Sequence, residues 1–317
     1  MFEKYSKIEN SYKEKDVEQA RRIVPASEPW VVQEKIDGAN FSIWCDKDLN
    51  IRFAKRSGWL GSDEKFFAYQ TVVEPMMESL REFFKVEMCF GPKNVAIFGE
   101  LYGSGIQGRC DYGDQKKFIA FDVYDSSLGY KPQKGLAYSL NRFGIDFVPQ
   151  LFVGTLDECL EYENTFASKL NEKQGNIAEG VVIKPVNRDY QLNSGKRVVF
   201  KNKTDSFSEN SKPKKAKNPS KKYFEEENLQ QAVDEICDLI NENRVMSVIS
   251  KEGNPSSPKQ FGKFLGLTIQ DAIEEYEEFY SASVKDFFGD NWKHANKMIN
   301  THAVSVVRPV FVKSIEE

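Results

Sequence analysis

The sequence predicts an α+β domain followed by a small all-α domain. Three observations carry this reading. Over roughly the first two thirds, apolar residues alternate or run in short stretches broken by Gly, Asp and Asn, as half-buried and buried strands do. Residues 205–222 are rich in Ser, Lys, Asn and Pro and include Pro213 and Pro219, the composition of a linker. Beyond them the apolar period changes to that of a helix. The expected boundaries are 1–204, 205–222 and 223–317.

The elements follow in order. Trp30-Val31-Val32-Gln33 and Phe41-Ser42-Ile43-Trp44-Cys45 read as strands, and Asp37-Gly38 between them is a hairpin signal, because such turns need φ > 0. Helical character is expected around Phe66–Phe84. Apolar runs ending in Phe98-Gly99-Glu100-Leu101-Tyr102-Gly103, and at Phe118–Val123, Glu179–Pro185 and Val198–Lys203, give further strands. They are too irregularly spaced for repeated βαβ units and point to antiparallel sheets. Gly103-Ser104-Gly105-Ile106-Gln107-Gly108 fits a dinucleotide fingerprint, but the loop-like Arg109–Asp114 follows where that fold needs a helix. In the tail, Leu229, Val233, Ile236 and Ile240 recur at helical spacing. Thr268 and Asp271 form a candidate capping box opening a helix through Ala272, Ile273 and Tyr276. Ala295, Met298, His302 and Val306 continue the pattern to Pro309.

Composition narrows the function. The chain has 317 residues, 40% of them apolar, enough for two cored domains. Its net charge of −4 is not that of a general nucleic-acid binder. The charge is unevenly placed, however: residues 196–222 hold ten Lys or Arg against two acids, and residues 225–317 nine against seventeen. A basic tract of this kind, with lysines at 212, 214, 215, 217, 221 and 222, suits a phosphate backbone. Five scattered cysteines show neither disulfide nor zinc spacing, which predicts a reducing compartment. The two histidines, His294 and His302, lie far from every strand run and argue against histidine-based acid–base chemistry. The first residues are polar and no run approaches the ~18 apolar residues of a membrane span. A soluble, cytoplasmic, monomeric protein is expected.

The chemistry centres on Lys35, which ends the first strand in Glu34-Lys35-Ile36-Asp37-Gly38-Ala39-Asn40. A lysine at a rigid strand-to-turn junction suits a nucleophilic amine. Lys201 and Lys203 share one face of a strand by period-2 parity. Glu179 and Lys184 are five apart, so a regular strand would oppose them. Either Glu179 precedes the strand or a bulge intervenes.

Lys35-Ile36-Asp37-Gly38 resembles the Lys-x-Asp-Gly motif of nucleotidyltransferases that charge a lysine with a nucleotide. Further blocks stand in the same order: Lys55-Arg56-Ser57-Gly58, Phe98–Gly103, Phe118–Val123, Glu179–Pro185 and Val198–Lys203. Together with the helical tail they resemble the RNA ligase 2 family of T-even-type bacteriophages. The resemblance implies a nucleotidyltransferase domain of ATP-grasp-like antiparallel sheets, and an ATP-dependent RNA ligase that forms a lysyl-AMP intermediate. Its implied substrate is a 3′-OH/5′-phosphate nick in duplex RNA or an RNA–DNA hybrid. It implies ATP as co-substrate and Mg²⁺ or Mn²⁺. By the same resemblance Lys35 is adenylated, Glu34 reads the adenine edge, and Asn40 and Arg56 contact the nucleotide and the nick. Glu100 binds the ribose and Phe121 stacks on adenine. Lys184, Lys201 and Lys203 neutralise phosphate charge, while Asp122 and Glu179 orient water-coordinated metal. Residue 37 departs from the bacteriophage pattern, which has histidine where this chain has Asp37. A DNA ligase or a capping guanylyltransferase would share the blocks but carry a β-rich tail, and a non-catalytic RNA-binding protein would be expected to lose one of the lysines.

Overall fold

The computed structural model describes residues 2–91, 93–208 and 227–316. The chain divides into two compact units, one ending at Phe207 and the other beginning at Ser208. The expected basic linker lies largely outside the described residues, including all six of its tract lysines.

The first unit is α+β. In chain order it contains β1 (Glu9–Asn10), α1 (Glu14–Ile23), β2 (Trp30–Lys35), β3 (Ala39–Cys45), β4 (Ile51–Lys55), β5 (Gly58–Trp59), α2 (Tyr69–Val73) and α3 (Met77–Met88). It continues with β6 (Val95–Gly103), β7 (Lys116–Asp125), β8 (Gly129–Tyr130), α4 (Leu136–Asn141), β9 (Gln150–Gly154), α5 (Leu156–Leu160), β10 (Gly180–Pro185) and β11 (Phe200–Lys203). The strands form two sheets, ordered β1-β11-β10-β2-β9 and β5-β4-β3-β6-β7-β8. Among the described residues these strands pair antiparallel except β1 with β11.

Each sheet has its own core. Phe41, Ile97, Leu101 and Phe118 of the six-stranded sheet bury against Leu80, Phe83 and Phe84 of α3. Trp30, Val32, Val181, Ile183 and Phe200 of the five-stranded sheet bury against Val17 and Ala20 of α1 and Cys159 of α5. α5 is held at its start by a complete capping box of Thr155 and Glu158. The decoy fingerprint is turn and loop from Ser104 to Gly108, with a loop and not a helix directly after it.

The Asp37-Gly38 segment corrects the hairpin expectation. β2 and β3 do not pair: they belong to different sheets, and the segment crosses between them. Gly38 does not have positive φ. It is required for proximity instead, since a Cβ there would lie 2.5 Å from the Leu101 carbonyl oxygen. The sequence signal reported a tight backbone approach, not a turn type.

The second unit is all-α: α6 (Glu227–Asp238), α7 (Glu242–Glu252), α8 (Phe261–Tyr280), α9 (Val284–Phe288) and α10 (Trp292–Glu316). Leu229, Val233, Ile236 and Ile240 enter its core with Ala295, Ile299 and Ala303. Arg244, 1% exposed, is neutralised by Asp271 and Glu275 on α8. Two helix-end expectations fail here. Thr268 lies inside α8, where its hydroxyl donates to the Phe264 carbonyl rather than capping a terminus. α10 runs through Pro309, with Val307 and Phe311 buried on either side of it. Apolar burial thus outweighs the ~3 kcal/mol that a helical proline costs.

Candidate active site

The register of the five-stranded sheet builds the centre of the site. Gly180 on β10 stands opposite Lys35 of β2 on one side and Lys203 of β11 on the other. The residue before it, Glu179, therefore precedes the strand between the ends of its two neighbours, which resolves the parity question without a bulge. Gly180 makes this possible: its φ is +144°, and a Cβ would lie 2.1 Å from the Asn202 carbonyl oxygen. Glu179 Oε2 accepts from Lys35 Nζ at 2.7 Å, and Oε1 lies 2.9 Å from Lys203 Nζ. Burial by itself would raise the Glu179 carboxyl, but Lys203, Lys35 and Arg109 outweigh it and hold the group well below the usual carboxylate range. Lys201 shares the Lys203 face of β11, opposite Val182 in register, and is partly buried. Asn202 faces the other way and accepts from Asn164 at 2.9 Å.

The six-stranded sheet supplies the second wall. Asn40 on β3 and Glu100 on β6 are register partners, and the Asn40 side chain acts to lower the Glu100 carboxyl. Burial pushes Glu100 up to about 8, against the pull of Lys35 and Arg56. Among the described residues its buried Oε2 has no hydrogen-bond partner. An orphaned buried acceptor of this kind suits a ligand hydroxyl.

A third group gathers around Asp122, which is fully buried on β7. Its Oδ1 accepts from Gln133 Nε2 at 2.6 Å. Its Oδ2 accepts from the Tyr5 hydroxyl at 2.5 Å and Arg197 Nη1 at 3.0 Å, and lies 3.2 Å from Lys184 Nζ. Burial alone would raise this carboxyl; Lys184 and Arg197 lower it. Lys184 also donates to the Phe121 carbonyl at 3.0 Å, with its Nζ 5.2 Å from the centre of the Phe121 ring. Burial lowers Lys184 to about 8, opposed by Asp122. The Phe121 ring is half-buried and meets the Tyr5 ring edge-on at 5.0 Å.

Glu34 stands apart from the lysine cluster. Its two carboxylate oxygens accept from Ser168 Oγ at 2.6 Å and the Lys169 amide at 2.8 Å, and burial raises its pKa. Among the described residues no group of three or more His, Cys, Asp or Glu side chains could hold a metal ion. Asp122 and Glu179 are each engaged by protein donors, so a cation here would be held mainly through water and phosphate oxygens, as Mg²⁺ favours. Among the described residues no helix is long and apolar enough to cross a membrane.

Three site-lining residues were not legible in the sequence. Arg109 donates to Asp37 Oδ1 at 2.6 Å, and its guanidinium sits 4.6 Å from the centre of the Phe207 ring. It comes from the loop after the decoy glycines. Its only signal is indirect: Asp37, 2% exposed, needs a cation. Tyr5 and Arg197 reach Asp122 across 117 and 75 residues of chain, a separation no local pattern encodes.

Comparison with known proteins places the chain in a family. Residues 28–203 match the RNA ligase family, and residues 223–304 match the T4 RNA ligase 2 C-terminal family. The chain is 28% identical to mitochondrial RNA-editing ligase 1 of Trypanosoma brucei brucei, over 51% of this chain and 46% of that protein. It is 33% identical to mitochondrial RNA-editing ligase 2, over 32% of this chain and 26% of that one. The chain thus spans less than half the length of either relative. Two variants of Naegleria gruberi RNA ligase, one solved with ATP and Mn and one with AMP and Mn, share the fold at a TM-score of 0.50 and 23% identity. Each covers 65% of this chain and 57% of its own. With both of its units matched in order, the chain belongs to the RNA ligase family, on the RNA ligase 2 branch.

Proposed function

We propose that the protein is an ATP-dependent RNA ligase. Lys35 Nζ attacks the α-phosphorus of ATP, a phosphoramide bond forms and pyrophosphate leaves. AMP then passes to an RNA 5′-phosphate, and a 3′-hydroxyl attacks that activated phosphate and releases AMP. The observation that carries this reading is the bridge Lys35–Glu179–Lys203. An ionised Glu179 fixes the direction of the Lys35 amine, and Lys203 stands where charge on the phosphates develops. Lys184 and Lys201 add to that positive field.

The remaining residues divide the nucleotide among them. The free Oε2 of Glu100 takes a ribose hydroxyl, Phe121 offers its ring to the adenine, and Asn40 and Arg56 face the sugar and phosphate. Glu34, held by Ser168 and Lys169, shapes the adenine end. Mg²⁺ or Mn²⁺, when bound, neutralises phosphate charge, with Asp122 and Glu179 reaching it through water. The substrate is a nicked RNA duplex or RNA–DNA hybrid, read by A-form shape and 2′-hydroxyls. Support comes from the family match, from relatives named as RNA-editing ligases and from Naegleria structures solved with ATP and Mn.

The test mixes the protein with Mg²⁺ and α-labelled ATP or GTP, with and without Lys35→Ala. Covalent label from ATP that is lost in the variant supports the reading. Label from GTP redirects it to capping chemistry, and no label from folded wild-type protein overturns it.

A further inference from the structure

Lys184 is a buried cation. It leaves β10 fully surrounded, 2% exposed, and reaches Asp122 and the Phe121 carbonyl. A lone buried Lys–Asp pair is poorly held, because its desolvation cost is recovered only when the remaining hydrogen-bonding positions are filled. In this chain they are filled by groups outside the set assigned above to the nucleotide. Arg197, 6% exposed, donates from Nη1 to both Asp122 Oδ2 and the Tyr5 hydroxyl, the latter at 3.1 Å. Its Nε is taken by Asp189 at 2.7 Å, and its guanidinium lies 3.4 Å from the centre of the Tyr130 ring. The group is fixed from three directions. Tyr5 adds its own 2.5 Å bond to Asp122 and packs its ring on Phe121 and Phe98. β1 follows Tyr5 and pairs with β11, the strand that begins three residues after Arg197. The same pairing that sets Lys201 and Lys203 in the sheet therefore brings in Tyr5 and Arg197.

We infer that Arg197 and Tyr5 are positioning residues for lysyl-AMP formation: they pin Asp122, and Asp122 pins the Lys184 ammonium beside the Phe121 ring. Their side-chain polar contacts are with protein groups: Asp122, Asp189 and each other. They act by denying Lys184 an alternative rotamer, so that its charge stands at one place when the phosphorus is attacked. The N-terminal segment that carries Tyr5 is thereby part of the site, not a peripheral extension. The inference rests on the ligase reading above.

The experiment measures the rate of covalent labelling by α-labelled ATP with Mg²⁺, against ATP concentration, for the full chain and for Arg197→Gln, Arg197→Lys and Tyr5→Phe. Thermal unfolding is recorded for each. The Arg197→Gln protein is expected to keep its half-saturating ATP concentration within about threefold and to label roughly a hundredfold slower at saturation. Arg197→Lys, which keeps the charge, recovers about a tenth or more of the wild-type rate. Tyr5→Phe, which loses one hydroxyl, labels roughly two- to tenfold slower. Folded Arg197→Gln labelling at the wild-type rate overturns the inference, as does a loss confined to half-saturation. If the Arg197 variants do not fold, Tyr5→Phe decides alone, and a wild-type rate overturns it. The wild-type arm separates the two readings: if it takes no label from ATP, the ligase reading itself has failed.

Discussion

Lys35 and Glu179 meet at 2.7 Å although 144 residues separate them in the chain. The contact follows from strand order. β10 lies between β2 and β11, so the residue just before β10 faces the ends of both neighbours. Glu179→Gln keeps the shape and removes the charge that aligns two ammonium groups. Lysyl-AMP formation in this variant is expected to fall by roughly two orders of magnitude, read as the single-turnover labelling rate.

The glycines at the crossing points are sensitive positions. Gly180→Ala places a Cβ against the Asn202 carbonyl at a strained φ, and Gly38→Ala places one against the Leu101 carbonyl at ordinary φ. Both should lower stability in chemical denaturation, each by about 1–3 kcal/mol or more, with Gly180→Ala the worse because strain adds to overlap.

Glu100 gives the stability a pH signature. Burial raises its carboxyl from 4.5 to about 8, so between those values the folded protein binds a proton that the unfolded chain releases. This group's contribution is complete below about pH 4.5 and is lost as pH rises through about 8. Glu100→Gln, always neutral, should therefore gain in melting temperature relative to wild type as pH goes from 5 to 9. A constant difference across that range would show that Glu100 is ionised in the fold.

Arg109→Ala leaves Asp37 buried beside Glu179 without its closest cation. A loss of about 1–3 kcal/mol in denaturant unfolding is expected. Asp37→Asn in the same protein should recover part of it, because the uncompensated charge is the cost. An additive double variant would show that the two residues do not interact.

The lysines at 212, 214, 215, 217, 221 and 222 carry a prediction from charge alone. Changing all six to glutamine should flatten the slope of log Kd against log salt for nicked duplex RNA by several units, at about 0.7–0.9 for each phosphate that is no longer neutralised. Label on Lys35 from ATP should persist. An unchanged slope would remove the tract from the interface.

Much of this was readable along the chain. The apolar runs located β2, β3, β6, β7, β10 and β11, because burial imposes a pattern on neighbouring residues. The helical period located α6 for the same reason. The Lys35 block and its five companions carried the family, since each is a short stretch with its own chemistry. Local signals misled where a distant interaction outweighed them. Asp37-Gly38 has the composition of a turn but serves a crossing between sheets. Thr268 and Pro309 look like helix ends, yet lie inside helices whose buried faces run past them.

The sequence by itself determined the class of the protein, where several of its strands fall along the chain and which residues are candidates for its site, because periodicity and motif are properties of neighbours in the chain. Only the tertiary structure decided which charges meet. Glu179 between Lys35 and Lys203, Arg109 on Asp37, and Arg197 with Tyr5 on Asp122 all depend on which strands lie side by side. That choice is made by the burial of whole sheet faces, a sum over the fold that no local stretch of residues records.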